Sequence, residues 1–167
     1  MNKKLTDRCV KDIMSSAVVT ARADDTVHDA LVLMEENRVT ALPVVDFHGR
    51  CVGILSATDV LTLTQEMESE IGALDQLTDE PRLSLIDIAA RHSVGQRNIS
   101  ELMSEEVATV SPQESLDGAA RLILRHQVHR LPVVDDEQRL VGILSTMDLL
   151  AALVGAAPHA RSKAAAR

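Results

Sequence analysis

Residues 128–148 read "VHRLPVVDDEQRLVGILSTMD", and residues 39–59 read "VTALPVVDFHGRCVGILSATD". The two stretches match at a constant offset of 89 residues. Pro43 meets Pro132, Gly53 meets Gly142, Ser56 meets Ser145 and Asp59 meets Asp148. Working outward, residues 10–61 align with 99–150 without a gap. Met14-Ser15 falls on Met103-Ser104, and Thr20 falls on Thr109. An ungapped repeat of this length marks one supersecondary unit used twice.

Each repeat carries the same punctuation. "AVVT" (17–20) reads as a short strand and "ARADD" (21–25) as a turn-rich connection. Thr26 then opens a helix, with Asp29 three residues on as in a capping box. Val27, Ala30, Leu31 and Met34 share one helical face. "LPVVD" (42–46) and "CVGILS" (51–56) are strands joined by a turn at "FHGR". Both runs are apolar on both faces, so both faces are expected to be covered. A helix follows from about Ala57. Repeat two gives the same β-α-β-β-α order, with Ser115 as helix cap. One such unit cannot bury its sheet alone. The expected fold is therefore α/β (α+β), with two pseudo-twofold units packed sheet to sheet and helices outside.

The expected boundaries are 8–62 for the first unit, 63–98 for a helical linker, 99–153 for the second unit and 154–167 for a flexible tail. Within the linker, "LTLTQEMESEIGAL" should prolong the preceding helix, "TDEP" should break the chain, and "RLSLIDIAARHS" has helical spacing.

The composition narrows the function classes. The chain has 167 residues, one Phe and no Tyr or Trp, so aromatic stacking platforms for single-stranded nucleic acid are absent. A net charge of −8 argues against a basic stripe for duplex nucleic acid. Two cysteines, Cys9 and Cys51, without metal spacing favour a reducing compartment. The N-terminus lacks an apolar signal core, and no run reaches the roughly 18 apolar residues of a membrane span. A cytoplasmic protein with neither membrane nor nucleic-acid partner is expected. His126 and His129 lack accompanying carboxylate or Cys ligands, so no metal is expected. No nucleophile motif or phosphate-cradling Gly-rich loop appears, so no catalytic residue is assigned and the chain is not expected to be an enzyme. Gly53 and Gly142, within strands, suggest close backbone approach. Met14 and Met103 read as core fillers.

The Met-Ser, Leu-Pro-Val-Val-Asp and Gly-Ile-Leu-Ser-x-x-Asp signatures, each occurring twice and in order, resemble a tandem pair of cystathionine-β-synthase (CBS) domains, a Bateman module. The resemblance covers about residues 8–153. It implies adenosine-containing ligands (AMP, ADP, ATP or S-adenosylmethionine) held in two clefts between the halves as regulatory ligands, with no obligatory cofactor. It also implies a homodimer and a regulatory role exerted on another protein in trans.

By motif match, Asp59 and Asp148 would contact ribose, because a carboxylate accepts hydrogen bonds from a cis-diol. The helix N-termini after Ser56 and Ser145 would suit phosphate oxygens. Ser-x-x-Asp also reads as a plain capping box, and the two readings are compatible. His129-Arg130 resembles the nucleotide-facing stretch of the γ subunit of AMP-activated protein kinase, where Arg can grip phosphate with paired donors. Repeat one departs from it, with Thr40 and Ala41 at those positions, so the two clefts should not be equivalent. The expected ligand residues are Thr20, Thr40, Leu42, Pro43, Ser56 and Asp59 in the first cleft. In the second they are Thr109, His129, Arg130, Leu131, Pro132, Ser145 and Asp148. Adenine would rest on aliphatics, and about 120 Å² of buried base contributes only about 3 kcal/mol. Micromolar binding needs about 8 kcal/mol, so ribose and phosphate contacts must supply the rest. The alternative is a purely structural dimerisation module with empty clefts.

Overall fold

A computed structural model describes residues 8–71 and 93–156 of the chain. Repeat one forms β1 (Ala21–Arg22), α1 (Val27–Asn37), β2 (Ala41–Val45), β3 (Cys51–Ser56) and α2 (Ala57–Ile71). Repeat two forms α3 (Leu116–His126), β4 (Arg130–Val134), β5 (Leu140–Ser145) and α4 (Thr146–Leu153). Short 3-10 turns at Val10–Asp12, Val94–Gln96 and Ile99–Glu101 lead into the repeats. The fold is mixed α/β, with one sheet in the order β1-β2-β3 and a two-stranded antiparallel sheet β4-β5.

The helices start where the sequence places their caps. Thr26 Oγ1 accepts from Asp29 N at 3.1 Å and donates to the Asp29 carboxylate at 2.7 Å. Ser115 Oγ accepts from Gly118 N at 3.0 Å. Val27, Ala30, Leu31 and Met34 are buried, as their spacing predicts. Both cysteines are free thiols.

One expected strand is displaced. Residues 17–20 carry no strand, and β1 occupies Ala21–Arg22, which had read as a turn. In repeat two only Val110 pairs, through Val110 N to Pro132 O and Val134 N to Val110 O, both at 3.0 Å. The β-branched residues Val18 and Val19 favour extended backbone, but a strand needs a ladder partner, and pairing begins only at Ala21. Past Ile71, the rest of the predicted helix extension, "TDEP" and most of "RLSLIDIAARHS" lie outside the described residues. So does the tail beyond Ala156.

The compact units do not coincide with the repeats. One consists of residues up to Val18, Val45–Val52 and Glu106 onward; the other consists of Val19–Val44 and Gly53–Glu105. Each repeat thus lends its lead-in to the other. In the first unit, Val10 N donates to Glu114 O and Lys11 N to Pro112 O, both at 2.9 Å, while Leu116 N donates to Arg8 O at 3.3 Å. In the second, the same three bonds recur between the equivalent residues with the repeats exchanged: Ile99 N to Asp25 O (2.9 Å), Ser100 N to Ala23 O (3.0 Å) and Val27 N to Arg97 O (2.9 Å). Val10, Ile13, Leu116, Ala119, Ile123, Leu131, Val133 and Leu144 share the first unit's core, with Met14 packed against it.

The strand glycines are explained by these lead-ins. Ser15 pairs with Ile143 (3.0 and 2.9 Å) and Ser104 with Ile54 (2.9 and 3.0 Å), each as an antiparallel bridge. A Cβ on Gly142 would lie 2.6 Å from Met14 Sδ and 3.1 Å from Ser15 O. A Cβ on Gly53 would meet Met103 Sδ and Ser104 O at the same distances. Glycine lets each Met-Ser pair cross its strand this closely without displacing the methionine.

Candidate functional site

Each β-hairpin delivers its second strand directly into a helix, and the Ser-x-x-Asp signature sits at that junction. Ser145 N and Oγ donate to Asp148 Oδ2 at 2.8 and 2.6 Å, and Asp148 N donates back to Ser145 Oγ at 3.2 Å. Ser56 and Asp59 repeat the arrangement with the same three distances. The capping-box reading is therefore realised in both copies. All of these bonds use one carboxylate oxygen, so Oδ1 of each Asp stays outside the cap.

The strand entry before each hairpin closes on the same helix end. Thr146 N donates to His129 O at 3.1 Å, and Ala57 N donates to Thr40 O at 2.9 Å. In the β4-β5 register Arg130 stands opposite Ser145. One junction thus gathers His129, Arg130, Ser145 and Asp148 in the first unit. The other brings Thr40 together with Ser56 and Asp59 in the second. His129 and Thr40 are exposed, Arg130, Ser145, Ser56 and Asp59 are half-buried, and Asp148 is 7% exposed.

Protein groups consume part of what the helix N-termini offer. The Thr146 and Ala57 N–H groups go to strand-entry carbonyls, and those of Asp148 and Asp59 go to serine hydroxyls. Among the first-turn donors, Met147 N and Thr58 N lie outside these bonds. Charge at the second junction comes from the Arg130 side chain, for which repeat one has the methyl of Ala41.

The remaining expected residues divide by depth. Leu42 and Leu131 are 0% exposed, and Leu131 belongs to the first unit's core; in this conformation neither offers a side-chain surface to a ligand. Pro43 and Pro132 are buried as well. Thr20 and Thr109 are half-buried, each one residue before the first paired position of its repeat. The carbonyl bonds of Thr40 and His129 had no signal in the sequence, because a backbone contact leaves no mark on residue type. Among the described residues, no three His, Cys, Asp or Glu side chains converge as a metal site, and no helix is long and apolar enough to cross a membrane.

Comparison with known proteins agrees with this architecture. The CBS domain family matches residues 10–66 and 99–155. The CBS domain-containing protein YhcV of Bacillus subtilis is 33% identical over 140 residues, covering 84% of this chain and 81% of its own. The crystal structure of CBSX2, an Arabidopsis thaliana protein, in complex with AMP superposes with a TM-score of 0.67. It shares 29% identity over 88% of this chain and 96% of its own. The CBS domain pair of protein MJ0100, in complex with 5′-methylthioadenosine and S-adenosyl-L-methionine, gives a TM-score of 0.64 at 26% identity. It covers 89% of this chain and 97% of its own.

Proposed function

The chain belongs to the CBS domain family, and on that premise we propose that it is a regulatory module that binds adenosine-containing ligands at its two Ser-x-x-Asp junctions. The observation that carries this reading is the carboxylate of Asp148, and of Asp59, held rigidly by one oxygen while the other stays outside the cap. A fixed carboxylate with a spare acceptor suits a ribose diol without further reorganisation. Solved structures similar to this chain contain AMP in one case, and methylthioadenosine with S-adenosylmethionine in another.

The Arg130 junction is the phosphate-bearing site. Paired guanidinium donors hold a phosphate by charge-assisted bonds, which contribute about 1.5–3 kcal/mol each. The Thr40 junction, lacking that cation, takes the same riboside with weaker demand for phosphate. The module acts without catalysis of its own, as a homodimer in the cytoplasm, on a second protein in trans. Its ligand shifts an equilibrium between arrangements that bind it differently. Met147, Leu150 and Leu153, more than half exposed along α4, supply an apolar face for pairing with a second copy.

A purely structural module draws support from the same caps, which satisfy Ser and Asp without a ligand. A thermal-shift panel separates the two readings. Ligand at 100 times its dissociation constant stabilises the native state by about 2.7 kcal/mol. A raised melting temperature with AMP, ATP or S-adenosylmethionine is expected, together with at least tenfold weaker AMP binding in Arg130→Ala by calorimetry. No shift with any of the three at millimolar concentration establishes the structural reading.

A further inference from the structure

The tips of the two β-hairpins meet, but only one of them pairs its own arginine. Cys51 N donates to Gln138 O at 3.1 Å and Leu140 N to Gly49 O at 2.9 Å, which sets Arg50 and Arg139 opposite each other as an antiparallel bridge. Both tips belong to the same compact unit. Tip two neutralises its cation: Arg139 Nε and Nη2 donate to Asp135 Oδ2 and Glu137 Oε2, both at 2.9 Å. Tip one does not. Among the described residues, Arg50 is held through its backbone alone, and its exposed guanidinium has no ion pair. On tip two, Asp136 is likewise exposed and unpaired.

The repeat sets Phe47 on Asp136 and His48 on Glu137. The turn itself asks for neither choice, because Asp46 and Asp135 hold both tips with equivalent backbone bonds. The one aromatic residue of the chain thus stands 77% exposed where the other repeat carries a carboxylate. Its ring centroid lies 4.2 Å from that of His48. A single exposed apolar side chain is ordinary. An aromatic ring beside an imidazole and an unpaired guanidinium matches the residue types enriched where proteins meet.

We infer that the tips form a contact between two copies of this chain, in which Phe47, His48 and Arg50 of each copy lie on Asp136 and Glu137 of the other. Because the two tips adjoin within one unit, a single twofold operation makes both halves of the contact. Exposed ion pairs contribute little by themselves, so the ring is the anchor and the charges set orientation. Two loop tips fall short of the about 1,200–2,000 Å² of a stable interface, so the association is weak and needs concentrated protein. The contact is independent of nucleotide binding, and it uses a surface other than the α4 face.

Sedimentation equilibrium of the full chain tests it. The chain carries a net charge of −8, so salt should promote association by screening the overall repulsion. The tip contact predicts the reverse: association falls at least fivefold between about 0.05 and 0.5 M salt, a measurement that needs no variant. Arg50→Asp and Asp136→Arg should each weaken association at least tenfold, since the symmetry applies every change twice. The two together should restore it to within threefold of the natural chain, and Phe47→Ser should weaken it as much as either single reversal. Leu150→Lys with Leu153→Lys removes the α4 face and should leave the salt-sensitive step in place. Association that rises with salt, ignores the tip substitutions, is not restored by the double reversal or is lost with the α4 face overturns the tip contact. Phe47 then falls to a partner of other chemistry or to none, and the nucleotide reading stands unaffected.

Discussion

Asp148 has a capping role and a proposed ribose role, which a single alanine substitution would confound. Its Oδ2 closes the cap of α4, and its Oδ1 is the acceptor assigned to ribose. Asn separates them. Its amide oxygen can keep the bonds from Ser145 N and Oγ, while its NH2 group is a donor where the diol needs an acceptor. Asp148→Asn should therefore leave the melting temperature nearly unchanged and weaken AMP binding at least tenfold by calorimetry. Asp148→Ala should weaken binding equally and in addition lose about 1 kcal/mol of stability with the cap. Equal affinity in Asp148→Asn and the natural chain would reduce this residue to a helix cap. The cap at each junction was legible because Ser-x-x-Asp announces its hydrogen bonding by type and spacing. Leu131 was not. Its position in "HRLPV" suggested a surface under adenine, but β4 is buried from Leu131 to Val134, and Leu131, 0% exposed, belongs to the first unit's core. Leu131→Ala should thus act chiefly on stability, by about 2–5 kcal/mol in urea unfolding, rather than on ligand preference.

At the level of elements, the hairpins show one design built from two sets of residues. Asp46 Oδ1 accepts from His48 N and Arg50 N at 2.8 and 2.9 Å, and Asp135 Oδ1 accepts from Glu137 N and Arg139 N at 3.0 and 2.8 Å. The left-handed position of the turn is Gly49 (φ 79°) in repeat one but Gln138 (φ 64°) in repeat two. Non-glycine residues also occupy it where α1 and α3 end, at Arg38 (φ 52°) and Gln127 (φ 53°). A side chain in this region costs about 1–2 kcal/mol, part of which glycine gives back through its freer unfolded chain. Gln138→Gly and Gln127→Gly should each stabilise the protein by about 0.5–1 kcal/mol in urea titration, and Gly49→Gln should do the reverse. The Gly49 turn could be read directly from "FHGR", whereas the strained glutamine becomes visible only when the repeats are aligned. These turns also respond to acid. The Arg50 backbone N–H chiefly holds Asp46 below its ordinary value of 3.8. Lost hydration pushes Asp135 up, but the Arg139 backbone and guanidinium bonds outweigh it, so it too lies below 3.8. Because both folded values are depressed, their contribution is complete above the unfolded value and is lost as pH falls through the folded one. The double variant Asp46→Asn, Asp135→Asn should accordingly lose less stability than the natural chain between about pH 5 and pH 2, measured by urea midpoints.

For the whole molecule, similarity and physical unit part company. The repeat located the hairpin strands, caps and junctions, but equivalence between residues 10–61 and 99–150 cannot say which copy a lead-in packs against. That is decided by long-range contacts, and here each lead-in serves the other repeat. Val10 is 0% and Ile13 2% exposed within the core that Leu131, Val133 and Leu144 of repeat two build. A fragment cut at the repeat boundary, residues 99–167, would keep its own lead-in, which has nothing to pack on, and would lack Val10, Ile13 and Met14. Losing large core side chains costs about 2–5 kcal/mol each, against a total stability of about 5–15 kcal/mol for a domain. The missing segment also leaves the Leu116 N–H without its Arg8 acceptor and Gly142 without its covering methionine. The fragment should consequently show no cooperative thermal transition. A synthetic peptide of residues 8–18, added in excess, should restore part of one by refilling the core. The converse fragment, residues 1–62, should fail in the same way, because it lacks Val94 and Ile99, both fully buried in the unit that α1 helps to form. A sharp melting transition in either fragment alone would show that the exchanged lead-ins decorate the two repeats rather than complete them.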